Sequence, residues 1–137
     1  MKYLLDTNVL SDARRRRSEQ LERWLSEQEV GDLAISVITL LEIERGIRRK
    51  QRADPAGAAP LWLWLNEDVR PLFAGRVLAV DESVASVASG LHVPDPMPEM
   101  DALIAATAQV HGLVLVTRNT KDFMRAAVPL IDPSAMH

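Results

Sequence analysis

The chain has 137 residues, 47% hydrophobic and 26% charged, which supports one packed core and excludes a disordered or low-complexity protein. It has no cysteine, so disulfides and thiolate metal sites are ruled out. The formal net charge of −3 argues against a generic nucleic-acid coat, which needs an excess of Lys and Arg to neutralise phosphates.

No apolar run reaches the roughly 18 residues of a membrane span, and the start lacks a basic stretch followed by a long apolar region. A cytoplasmic protein without membrane contact is therefore expected. Residues 2–5, KYLL, read as a short buried strand that ends on Asp6. Asp6, Thr7 and Asn8 suit the hand-over to a helix, because short polar side chains bond nearby amides. Leu21, Trp24 and Leu25 recur at helical spacing within residues 19–29, and Gly31 and Asp32 break that helix. Residues 33–35 read as a second strand. Ser36 is a candidate N-cap for a helix to about Lys50, with Val37, Leu40, Leu41, Ile43 and Ile47 as its apolar surface.

Residues 53–60, rich in Pro, Ala and Gly, read as a loop. Leu61, Trp62, Leu65 and Val69 mark a further helix. Trp62 and Trp64 are two positions apart, so a regular helix cannot bury both on one side, and one is expected to face a partner. Residues 76–80 read as a third strand and residues 81–91 as a small-residue helix. VPDPMPE holds three prolines in seven residues and must be a loop. Pro98 leads into EMDALIAATAQVHG, an Ala-rich helix closed by Gly112. LVLV at 113–116 suits a strand buried on both faces. TRNTKDF is a turn into a short helix, and an edge strand is expected near Leu130. Strands alternating with helices predict a single α/β domain over residues 1–137, its parallel sheet covered by helices on both sides.

The charges are uneven. Residues 14–17 are four consecutive arginines, and Arg45, Arg48, Arg49, Lys50 and Arg52 form a second cluster. Runs of this kind usually mark a solvated face. His92, His111 and His137 are scattered, and nothing marks them as ligands.

Four acids occupy more telling places. In open parallel sheets ligands bind beyond the C-terminal strand ends. Asp6 lies there, and Asn119 and Asp122 follow the LVLV strand to the same edge. Glu42 interrupts an apolar helix segment, and Asp101 stands in the first turn of the Ala-rich helix. Each has a plainer reading: a helix-dipole acid for Asp101, a capping partner for Asp122, a surface residue for Glu42. Together they suggest a cation site, since carboxylates about 5 Å apart repel by about 3 kcal/mol at an effective dielectric near 20. An all-oxygen donor set favours Mg²⁺ or Mn²⁺ over Zn²⁺. Such a site can activate a water against a phosphodiester. No nucleotide-binding P-loop, serine elbow or H-E-x-x-H signature competes with that chemistry.

LLDTNVLS, SVITLLEIERG, MDALIAATA and VTRNTKDF, in that order across residues 3–123, resemble the PIN-domain ribonucleases. More narrowly, they are similar to the VapC-type toxins of toxin–antitoxin pairs, including the FitB-like branch. The resemblance implies an α/β/α sandwich and a Mg²⁺- or Mn²⁺-dependent endoribonuclease. It implies catalytic, metal-binding acids at Asp6, Glu42, Asp101 and Asp122. Asn8 would support them through bonds to metal-bound water or phosphate, and Thr117 would shape the pocket. Some relatives carry an acid where this chain has Asn119, so the fourth carboxylate falls here to Asp122. The resemblance further implies a homodimer and a VapB-like antitoxin that inserts a segment beside the acids. Arg14, Arg15, Arg45 and Arg48 become candidate RNA contacts. A PIN nuclease of RNA maturation and a receiver-like phospho-acceptor are the alternatives. The second expects an acidic pair at the first strand and a Lys after the last, where this chain has Arg118.

Overall fold

The computed structural model describes residues 1–135, so His137 lies outside the described residues. Five short strands make one sheet: β1 (Tyr3–Leu5), β2 (Leu33–Ser36), β3 (Val77–Leu78), β4 (Val114–Val116) and β5 (Leu130–Ile131). Their order is β3-β2-β1-β4-β5 and every pairing is parallel. Leu4 of β1 is in register with Ala34 on one side and Leu115 on the other.

Successive side chains of a strand point to opposite faces, and the apolar runs divide accordingly. Leu4, Ala34 and Leu115 face one layer, formed with Val84 and Ala88 of α6 (Glu82–Leu91) and the alanines of α7 (Glu99–His111). Leu5, Ile35 and Val116 face the other. That layer is covered by α1 (Thr7–Arg15), α2 (Glu19–Ser26), α3 (Val37–Ala53) and α4 (Pro55–Leu63). Its helical cover continues through a π-helical turn, Trp64–Val69, into the short α5 (Arg70–Leu72). The α/β/α sandwich expected from the sequence is thus present.

Local chemistry explains the helix ends. The Ser18, Ser36 and Asp81 side chains accept amide hydrogens in the first turns of α2, α3 and α6. Gly112, at φ +65°, closes α7 in the left-handed conformation that glycine adopts without strain. Ala102, Ala105, Ala106 and Ala108 are fully buried, and such small side chains let the α7 backbone approach α6 and the sheet closely.

Several expectations of local structure are corrected. Apart from a break at Asp54, residues 53–60 are helical, not a loop: the Asp54 carboxylate accepts the Gly57 amide at 3.0 Å, and Pro55 occupies a first-turn position where no amide bond is lost. Pro60 lies inside α4, its Ala- and Leu-rich surroundings carrying the helix through. Trp62 and Trp64 are both half-buried and both pack against the same apolar layer. Their outer faces are covered by Arg48 and Arg14, whose guanidinium carbons stand 5.2 and 5.7 Å from the ring centres. The strand expected over 76–80 is confined to Val77–Leu78, and the helix expected to 29 ends at Ser26. Among the described residues no helix is long and apolar enough to cross a membrane.

Leu115 is fully buried in β4, between two neighbouring strands. Leu115→Ala is expected to destabilise the protein by about 2–5 kcal/mol, because the sheet cannot collapse into the space left. Chemical denaturation followed by circular dichroism measures this, and a loss well under 1 kcal/mol would contradict the packing described.

Candidate active site

The strand order reverses direction between β1 and β4, where a parallel sheet opens a crevice at its C-terminal edge. Asp6 leaves β1 at that point, its amide still donating to Val116 O of β4 at 2.8 Å. Its side chain is only 5% exposed. A buried carboxylate must be hydrogen-bonded, and Asp6 is held on both oxygens. Oδ1 accepts the Thr7 amide at 2.8 Å, while Oδ2 accepts the Thr117 hydroxyl at 2.8 Å and the Asn8 side-chain amide at 3.2 Å.

Asn8 spends both ends within the protein. Its Nδ2 also reaches Thr117 Oγ1 at 3.3 Å, and its Oδ1 accepts the Arg118 amide at 3.2 Å. The residue therefore ties the start of α1 to the exit of β4. Thr117 Oγ1 in turn accepts the Asn119 amide at 3.0 Å, which fixes the turn after β4.

Glu42, half-buried on α3, accepts the Thr7 hydroxyl at 2.7 Å. Thr7 Oγ1 also lies 3.2 Å from Thr39 Oγ1, one turn before Glu42 on the same helix face. Thr7 thus holds Asp6 with its amide and Glu42 with its hydroxyl. Asp101 is the third residue of α7, half-buried, and Asp122 is exposed on a 3₁₀ turn, Thr120–Phe123.

Asp6 lies within charge range of Glu42 and Asp122, and Asp101 within range of all three. Burial raises the pKa of Asp6 above the ordinary carboxylate value. The bonds from Thr117 and Thr7 oppose the rise, and the charges of Glu42 and Asp122 add to it. Asp101 is pushed up to about 6, first by burial and then by the charges of Asp6, Glu42 and Asp122. Among the described residues no three acidic or histidine side chains are gathered at coordinating distance. The acids share a neighbourhood without meeting at one point. Hard oxygen donors that resist carrying their charges together are a fitting environment for a divalent cation.

The structure disperses the arginine run. Arg14 covers Trp64, the Arg16 guanidinium lies 3.8 Å from Glu22, Arg17 lies 3.9 Å from Asp12, and Arg15 is exposed. Arg45 and Arg48 line a 660 Å³ groove along α3 with Val37, Leu40 and Leu41. Sequence reasoning passed over one charged pair entirely. Asp12, on α1 and 5% exposed, accepts from Arg118 at 3.2 Å. Its signal was an acid at helical spacing from Val9, on the face α1 turns inward.

The raised pKa of Asp101 makes metal-free stability depend on pH. Between 3.8 and about 6 the folded protein holds a proton that the unfolded chain has released. Stability from this group is therefore present at low pH and lost as pH rises through about 6. Thermal melts in EDTA are expected to show that decline for wild type and a flatter profile for Asp101→Asn. Mn²⁺ should raise the melting temperature more near pH 7 than near pH 5. Equal profiles for the two proteins would contradict the assignment.

The PIN domain family matches residues 3–129. Toxin FitB of Neisseria gonorrhoeae is 33% identical over 95% of this chain and 96% of its own length. The VapC ribonuclease Y4jK of Sinorhizobium fredii is 31% identical over the same shares. Among solved structures, a chain in the crystal structure of FitAcB from Neisseria gonorrhoeae superposes with a TM-score of 0.89. It is 32% identical, with 98% of this chain and 99% of that one covered. With the fold, the strand-end acids and these similarities in agreement, the chain belongs to the PIN-domain family, in its FitB- and VapC-like branch.

Proposed function

We propose that the protein is an endoribonuclease that hydrolyses RNA phosphodiester bonds with Mg²⁺ or Mn²⁺, and that it serves as the toxin of a toxin–antitoxin pair. The observation that carries this reading is the buried Asp6 carboxylate, held by three donors at the sheet's switch point within charge range of Glu42 and Asp122. The ribonuclease and toxin names of its relatives support it.

Asp6, Glu42, Asp101 and Asp122 would hold the cation, with Asn119 as a neutral oxygen donor nearby. When bound, the metal activates the attacking water and offsets charge developing at phosphorus. The chain's own residues do the rest. Thr7, Asn8 and Thr117 keep Asp6 in one orientation, so no reorganisation is needed as the reaction proceeds. Thr7 holds Glu42 to the same frame. Burial, with neighbouring negative charge added, raises Asp6 and Asp101 above the ordinary carboxylate value, and a bound cation would favour their charged forms. A cognate antitoxin, as the resemblance implies, would restrain the enzyme, and the active form would be a homodimer.

Purified protein is expected to cut single-stranded RNA with Mn²⁺ or Mg²⁺ and to stop in excess EDTA. Asp6→Asn should lower the rate about 10²–10³-fold, the effect of several kcal/mol of lost charge stabilisation. Induced expression should arrest growth for wild type and spare it for Asp6→Asn. Undiminished cleavage in EDTA would sink the nuclease reading, and harmless wild-type expression would sink the toxin role.

A further inference from the structure

Arg118 is fixed at both ends. Its backbone amide donates to Asn8 Oδ1 at 3.2 Å, one residue beyond the Thr117 hydroxyl that holds Asp6. Its Nη1 donates to Asp12 at 3.2 Å, and the Asp12 side chain is almost wholly buried. A guanidinium has five N–H donors in a rigid plane, and this ion pair engages one nitrogen. The Arg118 side chain is 44% exposed, so the remainder of the fork is presented to solvent.

It is presented between two cavities. On one side Asn119, Thr120, Lys121 and Asp122 line a 260 Å³ hollow. On the other lies a 550 Å³ cleft lined by Arg17, Ser18, Gln20 and Ser134, with Asp12 and Glu19. Arg118 belongs to both linings. Arg17 points its own guanidinium toward Asp12 from the far wall, at 3.9 Å. The cleft therefore offers two arginines and several hydroxyl or amide groups. Glu19, exposed, is its one acid besides the buried Asp12. Guanidinium forks beside neutral hydrogen-bonding groups match a phosphate linked to a ribose.

We propose that Arg118, positioned by Asp12, binds the RNA phosphate next to the one cleaved, and that the cleft it shares with Arg17 holds the attached nucleotide. This assignment rests on the ribonuclease reading above. It moves the principal RNA contact from the arginines of the sequence runs to one outside them. Arg14 and Arg48 are instead occupied over Trp64 and Trp62. Asp12 acts through Arg118 and is a positioning residue.

The test is binding of a fluorescent single-stranded RNA oligonucleotide to the full chain in EDTA, which prevents cleavage, as KCl is varied. Arg118→Met is expected to weaken binding about tenfold and to reduce the slope of log affinity against log salt by about 0.7, the share of one single-strand phosphate contact. Arg118→Lys should restore the slope but not the full affinity, because a point charge lacks the fork. Asp12→Asn should keep the slope and lose affinity, since the charge persists but its placement is released. With Mn²⁺ present, Arg118→Met should raise KM more than it lowers kcat. Wild type that cuts RNA, beside an Arg118→Met of unchanged affinity and slope, overturns this proposal alone; a lowered melting temperature with those readouts unmoved does the same. Wild type that neither binds nor cuts RNA overturns it together with the ribonuclease reading. Should Asp12→Asn fail to fold, the two Arg118 variants decide the matter.

Discussion

A carboxylate taken out of water costs several kcal/mol unless donors replace the lost hydration, and Asp6 meets that demand with three. The donors do not come from its own strand. Thr7 and Asn8 supply two because α1 begins at once, and Thr117 supplies the third because β4 ends alongside β1. The placement of β4 is therefore part of the chemistry of Asp6. The same requirement reaches outward: Asn8 fixes the Arg118 backbone, Thr117 fixes Asn119, and Thr7 fixes Glu42. One buried charge organises the turn after each central strand.

The second organising feature is the close approach of α7. Larger side chains at Ala102, Ala105 and Ala106 would push its first turn, and Asp101 with it, away from the sheet edge. Burial first, and then the nearness of other acids, raises Asp6 and Asp101 above the ordinary carboxylate value. A cation held there, as proposed, would favour the charged forms of those two carboxylates. Structure and reactivity are set here by the same few ångströms.

Much of this could be read from the residues, for reasons that differ from place to place. The strands at 3–5 and 113–116 are legible because a parallel strand buried on both faces is apolar throughout. Glu42 is legible because an acid between Leu41 and Ile43 conflicts with its neighbours. The segment 53–60 reads as a loop because Pro and Gly usually break helices, yet Pro55 sits where a helix tolerates it and Asp54 caps the new start. The two tryptophans escape the spacing argument because each packs only part of its ring against the apolar layer. The Asp12–Arg118 pair was invisible for another reason: its members are 106 positions apart, and nothing local to either announces the other.

That long reach has a consequence for how the protein comes into being. Asp6 and Glu42 precede β3, Asp101 and Asp122 follow it, and the Asp6–Thr117 bond spans 111 positions. A chain still being translated carries half the acids and lacks the hydroxyl that orients the first. The centre closes only when β4 slots in beside β1, after most of the polypeptide has left the ribosome. Any cleavage of RNA at this centre, as proposed, would therefore begin only once the last strands are in place.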